Sequence, residues 1–574
     1  MFKKIKFILA PYKFKTSIVV FFMFLSSCFE LISIGSLIPF LGLIADENFY
    51  SNSVYVNYFI NNIYYLDKKD FIIFCFIILV AAYTSRLLII LITNVIKNNF
   101  TYFVQKEISQ KLLKNYFLKD YSFFFKENVS RLVNNVDKES HYFVTGVLSP
   151  LMTLIIEIFT IILIISFLFY YEPLGASLIL LILLVFSFSY IKVNKKKISS
   201  LGEERKRNEN FINKILIEAF SAIKDIKLVQ GEKFFVSKFK KSISDLSNVL
   251  SRQKNHEEFA RPFFEYIGFL SLMVFVIFAF VTNKQLSDLI VIIGVLMASS
   301  FRLLPSGTRI VNSLQFIRFY KLSVDLFYNQ LKTPSKIQDK KRTNKKFNLN
   351  HLIEFRNLSF YYNKDRLILK KVNLKIKKGE SYGIFGESGS GKSTFVDLLS
   401  GFLKPNSGKI LCDGKGIDLN YKEWRKLIGY VPQTIYLIDD TIKNNICFGK
   451  EDKSIDLDLL NSSVKESQLY DYVKKLPNGL ETRVGDRGIS LSLGQIQRIG
   501  IARALYMQKP ILIFDESTNS LDTSNEKKIL NTIKNLKKKK TIILISHNLN
   551  VLKNCDKVYN LKNKNLNKLS KKIN

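Results

Sequence analysis

Acidic residues are scarce against basic ones: 48 Asp and Glu face 85 Lys and Arg, a formal net charge of +37 over 574 residues. Cysteine is scarce too. Cys28, Cys75, Cys412, Cys447 and Cys555 include no CxxC pair and no histidine at ligand spacing, which excludes a disulfide framework and a zinc site. The basic N-terminus "MFKKIKFILAPYKFK" precedes an apolar run, yet no A-x-A cleavage pattern follows, and the run over 16–45 is too long for a signal peptide. We read it as a retained membrane helix. The chain also exceeds the length of one ordinary domain, so two or three are expected.

Apolar residues make up 48% of the chain, but unevenly: long uncharged stretches fill the first half and lysine-rich text fills the loops and the second half. That is the pattern of a membrane domain followed by a soluble one. Such a positive excess serves nucleic-acid binding in some proteins. Here the positive-inside rule, with basic loops facing anionic lipid, accounts for it, and no nucleic-acid partner is expected.

A helix needs about 20 mostly apolar residues to cross a bilayer. Six runs qualify: 16–45, 71–95, 145–169, 174–191, 263–282 and 286–310. The connections 46–70, 170–173 and 283–285 are short and hold few basic residues, whereas the N-terminus, 96–144 and 192–261 are basic. Both termini are therefore expected on the cytoplasmic side. Residues 1–331 form the expected membrane domain, 332–350 a polar linker containing a proline, and 351–574 an α/β domain of alternating short strands and helices. The long cytoplasmic connections carry helical patterns, with a bend expected near 222–225 and a matching candidate at 123–136. The segment 48–66, with Val56, Phe59, Ile60 and Ile63 at helical spacing among tyrosines, is expected to lie as a helix at the outer interface.

The second half carries the chemistry. The strand "SYGIF" (381–385) runs into "GESGSGKST": Gly386, Glu387, Ser388, Gly389, Ser390, Gly391, Lys392, Ser393 and Thr394. This is a P-loop. Its glycines let backbone N–H groups wrap the β- and γ-phosphates of ATP, Lys392 adds charge there, and Ser393 offers a hydroxyl to Mg2+ at the positive end of the following helix. Downstream, "ILIFDE" (511–516) is an apolar strand ending in two acids. Asp515 is expected to hold the Mg2+ shell and Glu516 to polarise the attacking water.

With these motifs in order, the whole chain resembles the ABC transporter superfamily: membrane spans fused to one P-loop ATPase domain. The resemblance implies that Tyr362 in "NLSFYY" stacks on adenine, that Gln433 in "YVPQT" bridges Mg2+ and the membrane domain, that Asp522 in "SLD" belongs to the D-loop, and that His547 in "ISHNL" reaches the γ-phosphate. "LSLGQ" (491–495) matches the family signature except at Leu493, where glycine is usual. Ser492, Gly494 and Gln495 are retained, and the resemblance implies that they contact ATP held by a second subunit, with Leu493 pointing away. A homodimer with composite sites, active in ATP hydrolysis, is the expectation.

Arg86 lies inside the second apolar run, and Arg302 and Arg309 lie in the sixth, two turns apart. Charges at such positions cost about 2.5–3.5 kcal/mol or more and usually face a cavity. Arg261 and Glu265 stand at i and i+4 where the fifth run begins. An arginine-lined cavity suits an anion, pyrophosphate or phosphate above all. Within the superfamily, "FELISIGSLIPFLGLIAD" (29–46), "RPFFEYIGF" (261–269), "FRLLPSGTRI" (301–310) and "GESGSGKSTFVDLLSGFLKP" (386–405) resemble the lipid-linked oligosaccharide flippases of bacterial protein N-glycosylation. This resemblance implies movement of a polyprenyl-diphosphate-linked oligosaccharide across the bacterial inner membrane, with Arg86, Arg261, Arg302 and Arg309 as substrate residues. The rivals are a flippase for O-antigen or lipopolysaccharide-type saccharide lipids, a general lipid or drug exporter, and a soluble ABC ATPase acting on nucleic acid or ribosomes. The absence of a peptidase segment ahead of the first run argues against a processing peptide exporter.

Overall fold

The computed structural model describes residues 1–45, 68–125, 127–171, 173–281, 286–332, 346–363, 366–485, 488–517 and 523–569. The outer segment 48–66, most of the linker and Asp522 lie outside these residues. The chain divides into two compact units, one formed by 1–119 with 124–335, the other by 120–123 with 336–574.

The first unit is helical, and each of the six apolar runs lies on helix over its described residues apart from a turn at Ser36 in the first. Its helices include α1 (Phe2–Leu9), α2 (Lys13–Gly35), α3 (Leu37–Ala45), α4 (Lys68–Phe117), α5 (Val129–Val136), α6 (Lys138–Phe143), α7 (Ser149–Tyr171), α8 (Pro173–Ser221), α9 (Ile223–Leu228), α10 (Glu232–Glu258), α11 (Ala260–Val281), α12 (Leu286–Phe319) and α13 (Lys321–Lys332). Among the described residues, the stretches Phe2–Gly42, Ile72–Phe117 and Val129–Tyr170 are long and apolar enough to cross a membrane. The first run is not one helix. It breaks after Gly35 because Pro39, in the first turn of α3, lacks an N–H and its ring would collide with the carbonyl of residue 35.

At 49 residues α8 spans roughly 74 Å, far beyond a hydrocarbon core of about 30 Å. The polar half of such a helix extends past the bilayer. A break falls at Ala222, between α8 and α9, at the expected bend. Large apolar side chains such as Ile73, Phe76, Leu88 and Val95 are exposed along α4, as lipid contact requires, while Ile34, Ile164, Leu168, Phe264, Val295 and Leu303 pack into an interior cluster.

The second unit is α/β. A four-stranded antiparallel sheet contains β1 (Leu352–Tyr361), β2 (Leu367–Lys377), β4 (Ser407–Cys412) and β5 (Lys415–Gly416) in the order β2-β1-β4-β5. The larger sheet holds β3 (Ser381–Phe385), β6 (Ile428–Val431), β7 (Ile511–Asp515), β8 (Thr541–Ser546), β9 (Lys557–Lys562) and β10 (Asn565–Lys568) in the order β10-β9-β3-β8-β7-β6. Strands β9, β3, β8, β7 and β6 run parallel, so their C-terminal ends share one edge, the usual ligand edge of an open α/β sheet. β7 and β8 are buried throughout, which explains their unbroken apolar text. Residues 120–123 pack within this unit, with the Tyr121 ring 4.9 Å from that of Phe402 and Lys404 Nζ 2.8 Å from Asp120 Oδ2.

Candidate functional site

At the shared strand edge, β3 turns through the P-loop into α14 (Lys392–Leu399), β7 ends in Asp515 and Glu516, β8 in Ser546 and His547, and Gln433 follows β6. The parallel order therefore gathers residues more than 150 positions apart. A cleft of about 600 Å³ is lined by Tyr362, Ser388, Gly389, Gly391, Lys392, Ser393, Thr394, Gln433, Glu516 and His547, joined by Arg366 and Ile368, which the motif reading missed because they belong to no motif.

The loop is built for an anion of phosphate type. Gly389 has φ +80 and a Cβ there would meet nothing within 4 Å, so the space beside its backbone is open; Gly391, at φ +103, is in a region that side chains rarely adopt. Lys392 is buried and its Nζ donates to the carbonyls of Gly386 at 2.8 Å and Glu387 at 3.0 Å, which curls the loop around the ammonium. Ser390 Oγ is buried with no hydrogen-bond partner among the described residues. An orphaned hydroxyl, an open glycine cradle and a buried cation together fit a triphosphate. Tyr362, half exposed at the cleft, shares a hydrogen bond with Thr394 Oγ1 at 3.2 Å through its hydroxyl.

Glu516 gathers the reactive groups. Gln433 Nε2 donates to its Oε2 at 3.0 Å, His547 Nδ1 stands 3.6 Å from the same oxygen, and Lys392 Nζ is 3.5 Å from Oε1. Its backbone, at φ +48, is strained for a residue with a side chain. Asp515 is buried and accepts from Tyr430 Oη at 3.2 Å; burial first, then the Glu516 charge, raises its carboxyl above the usual range. Nearby Asp397 is pushed up to about 6 by burial and by Asp515. Asp515 and Glu516, adjacent acids where β7 ends, fit a divalent cation, which when bound would supply the charge that offsets them.

Ser492, Gly494 and Gln495 do not join this cleft. They open α15 (Leu493–Tyr506) in a capping box: Ser492 Oγ accepts from Gln495 N at 3.3 Å, and Gln495 Oε1 accepts from Ser492 N at 2.8 Å. Leu493, the first residue of α15, is 70% exposed.

The first unit holds a second cluster. Glu30 on α2 accepts from Arg86 Nη2 on α4 at 2.8 Å and from Arg302 Nε on α12. Glu157 on α7 pairs with Arg302 Nη1 at 3.0 Å and Arg309 Nε at 2.6 Å. Both carboxylates are buried, at 6% and 5% side-chain exposure. They border a cavity of about 520 Å³, also lined by Lys97, Thr93 and Phe301. Arg86, Arg302 and Arg309 thus converge. Arg261 does not: it is 76% exposed and pairs with Glu265 at 2.8 Å along its own helix. The intramembrane rule applied to arginines holds equally for the acids in "CFELIS" and "LIIEIFT", and would have revealed Glu30 and Glu157.

Comparison with known proteins agrees with this architecture. Residues 36–303 match the family ABC transporter transmembrane region and residues 369–519 the family ABC transporter. The chain is an ABC half-transporter of exporter type. ATP and Mg2+ are the transporter's cofactors, it couples ATP hydrolysis to transport, and it is a multi-pass membrane protein. Its fold matches a bacterial Atm1-family ABC exporter with ATP bound at a TM-score of 0.82 and 20% identity, over 97% of this chain and 95% of the other. The transporter is 28% identical to an ATP-dependent lipid A-core flippase of Paraburkholderia xenovorans over 76% of its own length and 73% of the relative's. It is 29% identical to the flippase of the same name in Ralstonia nicotianae over 80% and 78% of the two chains. It is also 29% identical to a putative multidrug export ATP-binding/permease protein of Bacillus subtilis over 76% and 74%.

Proposed function

We propose that the transporter moves a polyprenyl-diphosphate-linked oligosaccharide from the cytoplasmic to the periplasmic leaflet of the bacterial inner membrane, for protein glycosylation, as a homodimer with both termini in the cytoplasm. The observation that carries this reading is the convergence of Arg86, Arg302 and Arg309 on one cavity of the membrane unit. Guanidinium forks match phosphate oxygens, and a drug exporter for hydrophobic cations has no use for them. Arg261, on the outside of α11, meets the head group on its approach. Relatives named as flippases of a saccharide lipid support the same substrate class.

In this reading Glu516 is the base toward water, Gln433 and His547 orient it and the γ-phosphate, and Asp515, Ser393 and Gln433 hold Mg2+. Tyr362 meets adenine, and Ser492, Gly494, Gln495 and Asp522 serve the site of the second copy. The exposed capping box of Ser492 supports that division, since it stands apart from its own chain's cleft.

The test is flipping of a labelled polyprenyl-diphosphate oligosaccharide in proteoliposomes, with Glu516→Gln as control. ATP-dependent movement by the wild type alone is expected. Hydrolysis without movement moves the reading to a lipopolysaccharide-type saccharide lipid or a general exporter, the latter favoured by the multidrug name of the Bacillus relative.

A further inference from the structure

The cavity in the membrane unit is not a uniform arginine surface. Its ionisable lining consists of Arg86, Arg302, Arg309 and Lys97 against Glu30 and Glu157, a surplus of two positive charges. The four cations are bound to very different degrees. Arg302 is the most engaged: Nε donates to Glu30, Nη1 to Glu157 at 3.0 Å and to Ser306 Oγ at 2.7 Å, and the side chain is 15% exposed. Among the described residues, Arg86 gives Nη2 to Glu30, and its buried Nε has no hydrogen-bond partner. Arg309 gives Nε to Glu157 and is 46% exposed. Lys97, one turn past Thr93 on α4, donates to Asn94 Oδ1 at 3.2 Å and forms no ion pair with a described residue.

We infer that Lys97 is a fourth cation of the head-group site, acting with Arg86 and Arg309, while Arg302 is a positioning residue that holds Glu30 and Glu157 and does not itself receive the substrate. The inference rests on the reading that a lipid-borne diphosphate enters this cavity. An anion arriving at Arg302 would have to displace two buried carboxylates, each of which would then stand unpaired at a cost of several kcal/mol. At Arg86, Arg309 and Lys97 it finds donors that form no ion pair or only one with the described residues. The surplus of two charges matches a diphosphate diester, whose two phosphates each carry one negative charge. The glutamates thereby set the charge the cavity accepts, and Thr160 Oγ1, donating to Glu30 Oε2 at 3.2 Å, helps fix the first of them.

The test uses the full-length protein in nanodiscs with saturating non-hydrolysable ATP analogue, so that the P-loop is occupied. The probe is tritiated farnesyl-diphosphate N-acetylglucosamine, with the uncharged farnesyl glycoside as control. Lys97→Gln is expected to weaken binding of the diphosphate probe about tenfold, or about 1.4 kcal/mol, with the melting temperature unchanged. Arg302→Gln alone is expected to lose binding and stability together. The charge-balanced pair Glu30→Gln/Arg302→Gln keeps the surplus of two and leaves Glu157 paired with Arg309; it is expected to recover binding to within about threefold of wild type, a rescue that a purely structural loss would not show. Undiminished binding by Lys97→Gln, or no recovery in a folded double variant, would overturn the inference and leave the proposed substrate standing. Equal wild-type affinity for the charged and uncharged probes would overturn both.

Discussion

Arg205 offers the sharpest test of how the part of the membrane unit beyond its apolar runs is held. It lies on α8 beyond the apolar run and is 0% exposed. Nη1 reaches Glu209 Oε2 at 3.1 Å and Nη2 stands 3.6 Å from Glu139 Oε1. Nε and Nη2 make no hydrogen bond; the rings of Tyr142 and Tyr320 face the guanidinium instead, with centroids at 4.3 and 4.7 Å. Glu139 comes from α6 and also accepts from Ser323 on α13, so one cation ties three helices. Arg205→Met keeps volume and removes the charge. Breaking a buried pair by taking one partner costs about 3–5 kcal/mol, and a desolvated cation–π contact adds on the order of 2 kcal/mol. In a unit of this size that corresponds to a fall in melting temperature of roughly 5–15 °C, read by thermal denaturation in nanodiscs.

The pH dependence has a definite sign. Glu209 is held above the usual carboxylate range, burial being the main cause, with Arg205 and then the hydrogen bond from Tyr142 opposing it. A raised acid favours folding when protonated, and that contribution fades as pH rises through its folded value. Removing Arg205 raises Glu209 further, so the variant's deficit is larger at pH 8 than at pH 6. Adding Glu209→Gln should recover part of the loss at pH 8. A melting temperature within 2 °C of wild type, or a deficit larger at pH 6, would refute the reasoning.

Glu516→Gln should bind ATP normally and hydrolyse it at least about 10²-fold more slowly; steady-state ATPase assays at normal rate would remove Glu516 from its assigned role. Gly202→Ala should destabilise the membrane unit severely, because its Cβ would lie 2.1 Å from the backbone oxygen of Phe319; expression and melting at wild-type levels would show that α8 and α12 approach less closely. Cys412 and Cys555 are buried and pushed up to about 12 by that burial, so maleimide at pH 8 should label them only after denaturation, and rapid native labelling mapped by mass spectrometry would contradict it.

Much of this molecule was legible because its signals are local. The apolar runs name helices, since a bilayer demands length and apolarity within one continuous segment. The P-loop names its own conformation, since glycines at fixed spacing are what a phosphate cradle requires. The break after Gly35 was missed, although Pro39 carries its local cause. Where the reading fell short, the missing information was nonlocal. Glu30 and Arg302 meet across 272 positions, and no periodicity reports such a pairing. Arg261 was grouped with Arg302 as a substrate residue, and only the packing showed that one pairs along its own exposed helix while the other reaches buried Glu30.

By itself, then, the order of residues determined the two kinds of unit, the phosphate loop and the residue types available for chemistry, because each depends on neighbours within a turn or a strand. The tertiary structure alone decided which charges cancel, which cations stay available, and that Gln433, Glu516 and His547 share one edge. Parallel strand order and helix packing make those choices, since they bring together groups that the chain keeps far apart and exclude the water that would otherwise screen them.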